Sequence, residues 1–212
     1  MKELISKIKI LKKSPIKKKV DFRLLEFQSF ENKSNLSWFS ELCFCILTAN
    51  SKAVTAISIQ KELKGRGFLE KSFEHVRDAI IANKHRFHNN KARFIVEARQ
   101  FKDIKKIVAL KVSEIGENRT RDFLAENIKG IGYKEASHFM RNVGFCNLAI
   151  LDRHILNLMV ENKIICSKPK TISKKIYHEL EEKLSTLCDN LKMTQAEIDL
   201  YLWYMKTDSI LK

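Results

Sequence analysis

KGIGYKEASHF, residues 129–139, places two glycines two apart between segments that both read as helices, with a lysine two positions after the second glycine. Gly130 and Gly132 can take the positive φ that a tight turn needs, so one helix is expected to end near Lys129 and the next to run from about Tyr133 to Val143. Gly144 is its expected stop. A turn of this kind leaves backbone N–H groups bare at a helix start, where a DNA phosphate can come close. The device is a helix-hairpin-helix, spanning about residues 119–144.

On the second helix Ala136, Phe139, Met140 and Val143 share one stripe, and at about 100° per residue Lys134 points away from it, toward solvent or a cleft. The positive end of a helix dipole disfavours a further positive charge, which suits a lysine that acts as a free amine. A surface lysine between two antiparallel helices is the plain alternative, and the hairpin alone does not decide between them. Eighteen residues on, AILDRHILNLMV supplies one carboxylate, Asp152, between an apolar run and another helix. Asp152 is a natural N-cap for that helix. A capping carboxylate is also rigidly held, as a catalytic charge must be.

The rest of the chain fits an all-α protein. Only 2 prolines and 6 glycines interrupt its 212 residues, and 44% hydrophobic content is that of a globular chain. Apolar residues recur at helical spacing over about 2–12, 17–27, 36–49, 52–63, 72–82, 90–101, 103–110, 119–128, 134–143, 153–161, 171–188 and 194–206. Ser34, or alternatively Ser37, caps the run WFSELCFCIL, and Thr194 with Glu197 has capping-box spacing. Pro169 marks a turn before a long helix from about Ile172. The expected organisation is one unit of two helical lobes, one of about residues 35–130 and one of 1–34 with 131–212.

Forty Lys and Arg against 25 Asp and Glu give a formal charge of +15, a field that draws polyanions and makes nucleic acid the leading partner class. A lysine-rich surface without a polyanionic partner is the alternative. No run approaches the roughly 20 apolar residues that span a bilayer, and lysines break up the N-terminal segment MKELISKIKILKKS, so a cytoplasmic, nucleoid-associated protein with no membrane partner is expected. The 5 cysteines are scattered with no CxxC pair, which speaks against a disulfide framework or a zinc site.

Together, KGIGYKEASHFMRNVG and LDRHIL resemble the helix-hairpin-helix DNA glycosylase superfamily, whose fold is two helical lobes with a DNA-binding cleft between them. ELCFCILTAN and the C-terminal LYLWYMKTDSILK are similar to the second family of 8-oxoguanine DNA glycosylase/AP lyases, found mainly in archaea and some bacteria. The likeness covers nearly the whole chain; the loop RNVGFCNLAILD departs from the superfamily pattern in lacking a proline. Only Cys146, Cys166 and Cys188 lie beyond the hairpin, too few for the four-cysteine iron-sulfur cluster of some relatives. No cofactor and no metal are expected.

The resemblance implies a mechanism. The target nucleotide is flipped from the duplex, Asp152 stabilises positive charge developing on the sugar, and the amine of Lys134 attacks C1′ to form a Schiff base that permits β-elimination of the 3′ phosphate. It also implies that Lys212 helps to tell 8-oxoguanine from guanine and that Asp199 and Trp203 line the base pocket. Asp199 and Trp203 are four apart, so one helical face carries both; core packing is the alternative for Trp203. An acceptor facing N7 would bond the N7–H of 8-oxoguanine and confront a lone pair in guanine.

Two loops complete the candidates. NKHRFHNNKAR, residues 83–93, sets Phe87 beside Arg86 and other basic side chains, as suits an aromatic wedge entering the stack beside phosphates, or a ring anchoring the loop to the core. Asn50 ends CILTAN where related glycosylases place an amide in the gap left by the flipped base; a helix C-cap is the other reading. The expected DNA-binding residues are thus Gly130, Gly132, Phe87, Asn50 and Arg86. The expected protein is a monomeric bifunctional enzyme acting on double-stranded DNA that contains 8-oxoguanine. Its rivals are a noncatalytic hairpin module and a glycosylase for another oxidised base. Lys134 with Asp152 separates the enzyme from the module, because holding phosphates by backbone N–H groups needs neither.

Overall fold

The computed structural model describes residues 1–211, which form eleven α-helices joined by short loops, with no strand among the described residues. In chain order they are α1 (Lys2–Lys12), α2 (Ile16–Gln28), α3 (Asn35–Thr48), α4 (Ala53–Glu70), α5 (Phe73–Ala82), α6 (His88–Ala98), α7 (Ile104–Asn127), α8 (Tyr133–Asn142), α9 (Arg153–Glu161), α10 (Lys174–Leu191) and α11 (Gln195–Thr207). The expected caps form: Ser34 Oγ accepts from Ser37 N–H at 3.3 Å and Thr194 Oγ1 from Glu197 N–H at 3.1 Å. Replacing such a cap by alanine typically costs about 1 kcal/mol.

One compact unit is residues 29–143, and it is built around α3. Every residue from Trp38 to Thr48 is buried, because α4, α6, α7 and α8 surround that helix. Fully burying each large apolar side chain is worth about 1.5–3 kcal/mol. The buried Glu41 is paired: it accepts from Gln60 Nε2 at 2.9 Å and from Asn142 Nδ2 at 3.1 Å, tying α3 to α4 and α8. The fully buried Arg121 donates to Asp122 Oδ1 at 2.7 Å and Ser137 Oγ at 3.2 Å, and its guanidinium lies 5.8 Å from the centre of the Tyr133 ring. These bonds fasten the two helices of the hairpin to each other.

The other unit combines α1 and α2 with the chain from Gly144 onward. Here α11 packs on α9 and α2, and α1 on α10, around Ile8, Val20, Ile198 and Tyr201, all with no exposed surface. Lys206 pairs with Glu161 at 2.8 Å, joining α11 to α9 at the surface.

The structure departs from the sequence reading in three places. The division falls after Val143 rather than near residue 130, since α8 packs against α3 and α7 and stays with them. The segments 103–110 and 119–128 are not separated by a loop; they form α7, whose helical geometry breaks only at Gly116, with φ 80° and ψ 170°. Similarly α4 runs past residue 63 through a break at Lys64, where φ is 53°. Beside it, a Cβ on Gly65 would stand 2.7 Å from Leu36, so glycine is needed for close packing there.

Candidate functional site

The hairpin turn uses its two glycines differently. Gly130 has φ 91°, and a Cβ there would lie 2.6 Å from Cδ2 of Phe94 on α6. It is needed both for its backbone angle and for its packing. Gly132, expected to share the left-handed conformation, is instead extended (φ −107°, ψ −169°) and serves as the N-cap of α8. Lacking a side chain to cap with, it donates its own N–H to Glu135 Oε2 at 3.1 Å, which is half of a capping box. One of the turn's N–H groups is therefore occupied rather than bare.

Lys134 follows in the first turn of α8. Its stripe assignment holds: Ala136, Phe139, Met140 and Val143 are all at most 2% exposed, while the Lys134 side chain is 26% exposed. Its Nζ stands 3.2 Å from Oε1 of Glu135. The Glu135 carboxylate thus serves two neighbours, Gly132 and Lys134, and an amine attack by Lys134 requires the ion pair to open.

A second lysine close to this pair escaped the sequence reading. Lys91, near the start of α6, is only 5% exposed and donates from Nζ to the Ile46 carbonyl at 2.6 Å. Desolvation pushes its pKa down to about 8; Glu135 acts to raise it and Lys134 to lower it further. In the sequence Lys91 is one of several basic residues in a loop, with nothing to mark it as buried.

In the same unit Asn50 and Phe87 are exposed, and both adopt left-handed backbone conformations, with φ of 57° and 61°. Arg86 connects them. Its Nη2 donates to Asn50 O at 3.0 Å and its guanidinium lies 5.4 Å from the centre of the Phe87 ring. Phe87, at 52% exposed, is not an anchor in the core. Asn50 lies two residues beyond the end of α3, whose C-cap is Ala49.

In the other unit Asp152 caps α9 as expected. Its Oδ1 accepts from His154 N–H at 2.8 Å and Ile155 N–H at 2.9 Å, and among the described residues Oδ2 has no hydrogen-bond partner. The segment before it, Leu148–Leu151, is buried and fixed by α10. Ala149 donates to Glu181 Oε1 at 2.8 Å and accepts from the Tyr177 hydroxyl at 2.7 Å. Neither Tyr177 nor Glu181 was suggested by the sequence, since they lie 28 and 32 residues from Ala149.

His154 carries the site toward α11. Its ring meets that of Trp203 edge-on, with centroids 5.4 Å apart, so Trp203 is partly exposed on the helix that also holds the buried Asp199. The Trp203 Nε1 is buried, with no partner among the described residues. Lys212 lies outside the described residues.

Comparison with known proteins gives this arrangement its context. Residues 20–193 match the family model of 8-oxoguanine DNA glycosylase. The chain is 50% identical over 209 residues to the 8-oxoguanine DNA glycosylase/AP lyase of Methanocaldococcus jannaschii, covering 99% of each, and 37% identical over 211 residues to that of Korarchaeum cryptofilum, covering 99% and 98%. The crystal structure of the M. jannaschii glycosylase/lyase in complex with DNA containing 8-oxoguanine matches with a TM-score of 0.95 at 49% identity, covering 99% of this chain and 100% of that one. The 8-oxoguanine DNA glycosylase of Thermotoga maritima matches with a TM-score of 0.92 at 37% identity, covering 100% and 99%. With its all-α fold, its helix-hairpin-helix and likeness along nearly its whole length, the chain belongs to the 8-oxoguanine DNA glycosylase family.

Proposed function

We propose that this protein excises 8-oxoguanine from double-stranded DNA and then cleaves the strand at the resulting abasic site. The observation that carries this reading is full-length similarity to glycosylase/AP lyases, one of them solved with DNA containing 8-oxoguanine, in a chain that has a lysine in the first turn after its hairpin. A lysine nucleophile is what joins the two activities, since an enzyme that activates water ends with the base removed.

In this reading the Lys134 amine, freed from Glu135, forms a bond to C1′ as the bond from C1′ to N9 breaks, and the bonding pair leaves with the base, which takes up a proton. The nitrogen then gives up a proton, and its lone pair opens the sugar ring to an iminium as O4′ leaves with the C1′–O4′ bonding pair and takes up a proton. The iminium draws electrons from C2′, a C2′ proton is lost, and the 3′ phosphate departs with the pair from its C–O bond. Asp152, whose Oδ1 is taken by the two N–H groups of α9, offers its carboxylate to the positive charge that builds on the sugar, where a preorganised opposite charge lowers the barrier. Trp203 and Asp199 would line the base pocket with Lys212 completing lesion recognition, while Asn50, Arg86, Phe87, Gly130 and Gly132 would contact DNA. The chemistry needs neither metal nor iron-sulfur cluster, because the amine supplies the electron sink.

A monomer acting in the cytoplasm at the nucleoid fits a charge of +15 and the finding that no described helix is long and apolar enough to cross a membrane. Strand cleavage on duplexes with 8-oxoguanine, guanine or an oxidised pyrimidine at one position tests the substrate. Cleavage at 8-oxoguanine alone is the expected result. Equal or faster cleavage at the oxidised pyrimidine would reassign the enzyme, and no cleavage with tight binding would leave a DNA-holding module. Binding to every duplex falls steeply with salt as counterion release loses its advantage.

A further inference from the structure

The last turn of α3 ends without a glycine cap, yet its carbonyls are not left bare. A helix end has four orphan carbonyls that need donors. Cys45 O receives the Thr48 hydroxyl at 2.9 Å and Thr48 O receives Ser51 N–H at 3.1 Å. The two between them are closed from a distant part of the chain. Ile46 O receives Lys91 Nζ at 2.6 Å and Leu47 O lies 2.8 Å from Nε2 of His85. Arg86 adds a third cross-link at Asn50 O.

His85 is the pivot of this arrangement. It is 4% exposed and stands between two residues in left-handed conformations, Lys84 at φ 53° and Phe87 at 61°, with its Nδ1 against the Arg86 carbonyl. Across from it the chain leaving α3 enters a third left-handed residue, Asn50. Non-glycine residues in that region are strained, and they persist only where neighbouring bonds fix the backbone. Here those bonds come from His85, Arg86 and Lys91.

We infer that His85 and Lys91 are positioning residues that close the C-terminal end of α3 and so preset Asn50 and Phe87 as one rigid element for entering the DNA stack. The inference rests on the reading of those two residues as DNA-inserting. It adds that neither works alone, and that the buried His85 and Lys91 act on them without touching DNA.

The test uses the full chain with His85→Leu, His85→Gln and Phe87→Ala. One substrate is duplex DNA containing 8-oxoguanine beside 2-aminopurine, whose fluorescence reports unstacking. The other is a single-stranded abasic oligonucleotide, which needs no extrusion. His85→Leu is expected to lose the fluorescence rise and to slow duplex excision by about ten- to a hundredfold, the scale of a misplaced positioning group. Borohydride trapping on the single-stranded abasic substrate should stay within about twofold, since no base has to be flipped. His85→Gln, which keeps one donor for Leu47 O, should recover most of the duplex activity.

Parallel loss on both substrates, or no loss on either, overturns the inference. If His85→Leu does not fold, Lys91→Met opens the neighbouring carbonyl and must show the same selective loss of duplex activity. Phe87→Ala separates the two layers. Normal duplex excision by Phe87→Ala removes the DNA-inserting reading and this inference with it. Slow excision by Phe87→Ala with normal excision by His85→Leu and Lys91→Met removes only the inference.

Discussion

The two candidate catalytic groups sit in opposite kinds of surroundings. Lys134 is a long side chain, partly exposed, whose ion-pair partner is the adjacent carboxylate of Glu135. Asp152 is a short side chain with two backbone N–H groups on one oxygen, preceded by a buried segment that Tyr177 and Glu181 hold on both sides. The difference matches the parts they would play. An attacking amine has to leave its resting contact and travel to carbon, whereas a carboxylate that meets a developing charge works best when it does not move. Substitutions should therefore separate chemistry from stability cleanly at each position.

The largest effect is expected at Asp152. Asparagine caps a helix as well as aspartate does, so Asp152→Asn should melt close to the wild type while excision falls by about 10²–10³-fold, the scale of a lost preorganised electrostatic group. Asp152→Ala should lose about 1 kcal/mol of stability in addition. An Asp152→Asn variant with normal excision would reduce the residue to its capping role.

Next in size is the contrast between the hairpin glycines, measured by thermal or urea unfolding. Gly130→Ala combines a positive φ with a clash against Phe94 and should cost about 2 kcal/mol or more. Gly132→Ala, extended and meeting only Glu135 Oε2 at 3.4 Å, should stay within about 0.5 kcal/mol. Its effect should appear instead as weaker DNA binding, through the added methyl at the turn.

Tyr177→Phe comes third. It removes the donor to Ala149 O, for an expected loss of about 1 kcal/mol. Because that bond also fixes the segment leading to Asp152, duplex excision should drop several-fold at temperatures where the variant remains folded. Unchanged excision would mean that α9 alone holds the carboxylate.

The smallest effect is a pH dependence at Lys91. Its folded pKa of about 8 lies below its ordinary value, so between these pH values the unfolded chain binds more protons than the folded one. Burying the ammonium weakens the fold fully below pH 8, and the penalty fades as pH rises through 8 toward the unfolded value. Melting temperatures measured from pH 7 to 10 should show the wild type gaining on Lys91→Met. A constant gap would show that Lys91 does not change its protonation between folded and unfolded states over this range.

Much of this was legible in the sequence because it is local. Helical periodicity, the Ser34 and Thr194 caps, the stripe on α8 and the capping role of Asp152 all depend on residues within a few positions of one another. The continuation of α7 past Gly116 and of α4 past Lys64 was hidden, since a break in helical angles need not start a loop. So was the conformation of Gly132, as glycine permits a positive φ without requiring it. His85, Lys91, Tyr177 and Glu181 act across 28 to 45 residues of chain on backbone carbonyls or N–H groups, which carry no sequence signature.

The central claim is that Lys134 is the amine that joins base excision to strand cleavage. Its most direct test is borohydride reduction during turnover of an 8-oxoguanine duplex, followed by mass-spectrometric mapping of the DNA-linked peptide, on the wild type and Lys134→Gln. The account predicts a single adduct on Lys134 that disappears in the variant while DNA binding persists. An adduct that survives in Lys134→Gln, or that maps to another lysine such as Lys91, would contradict it.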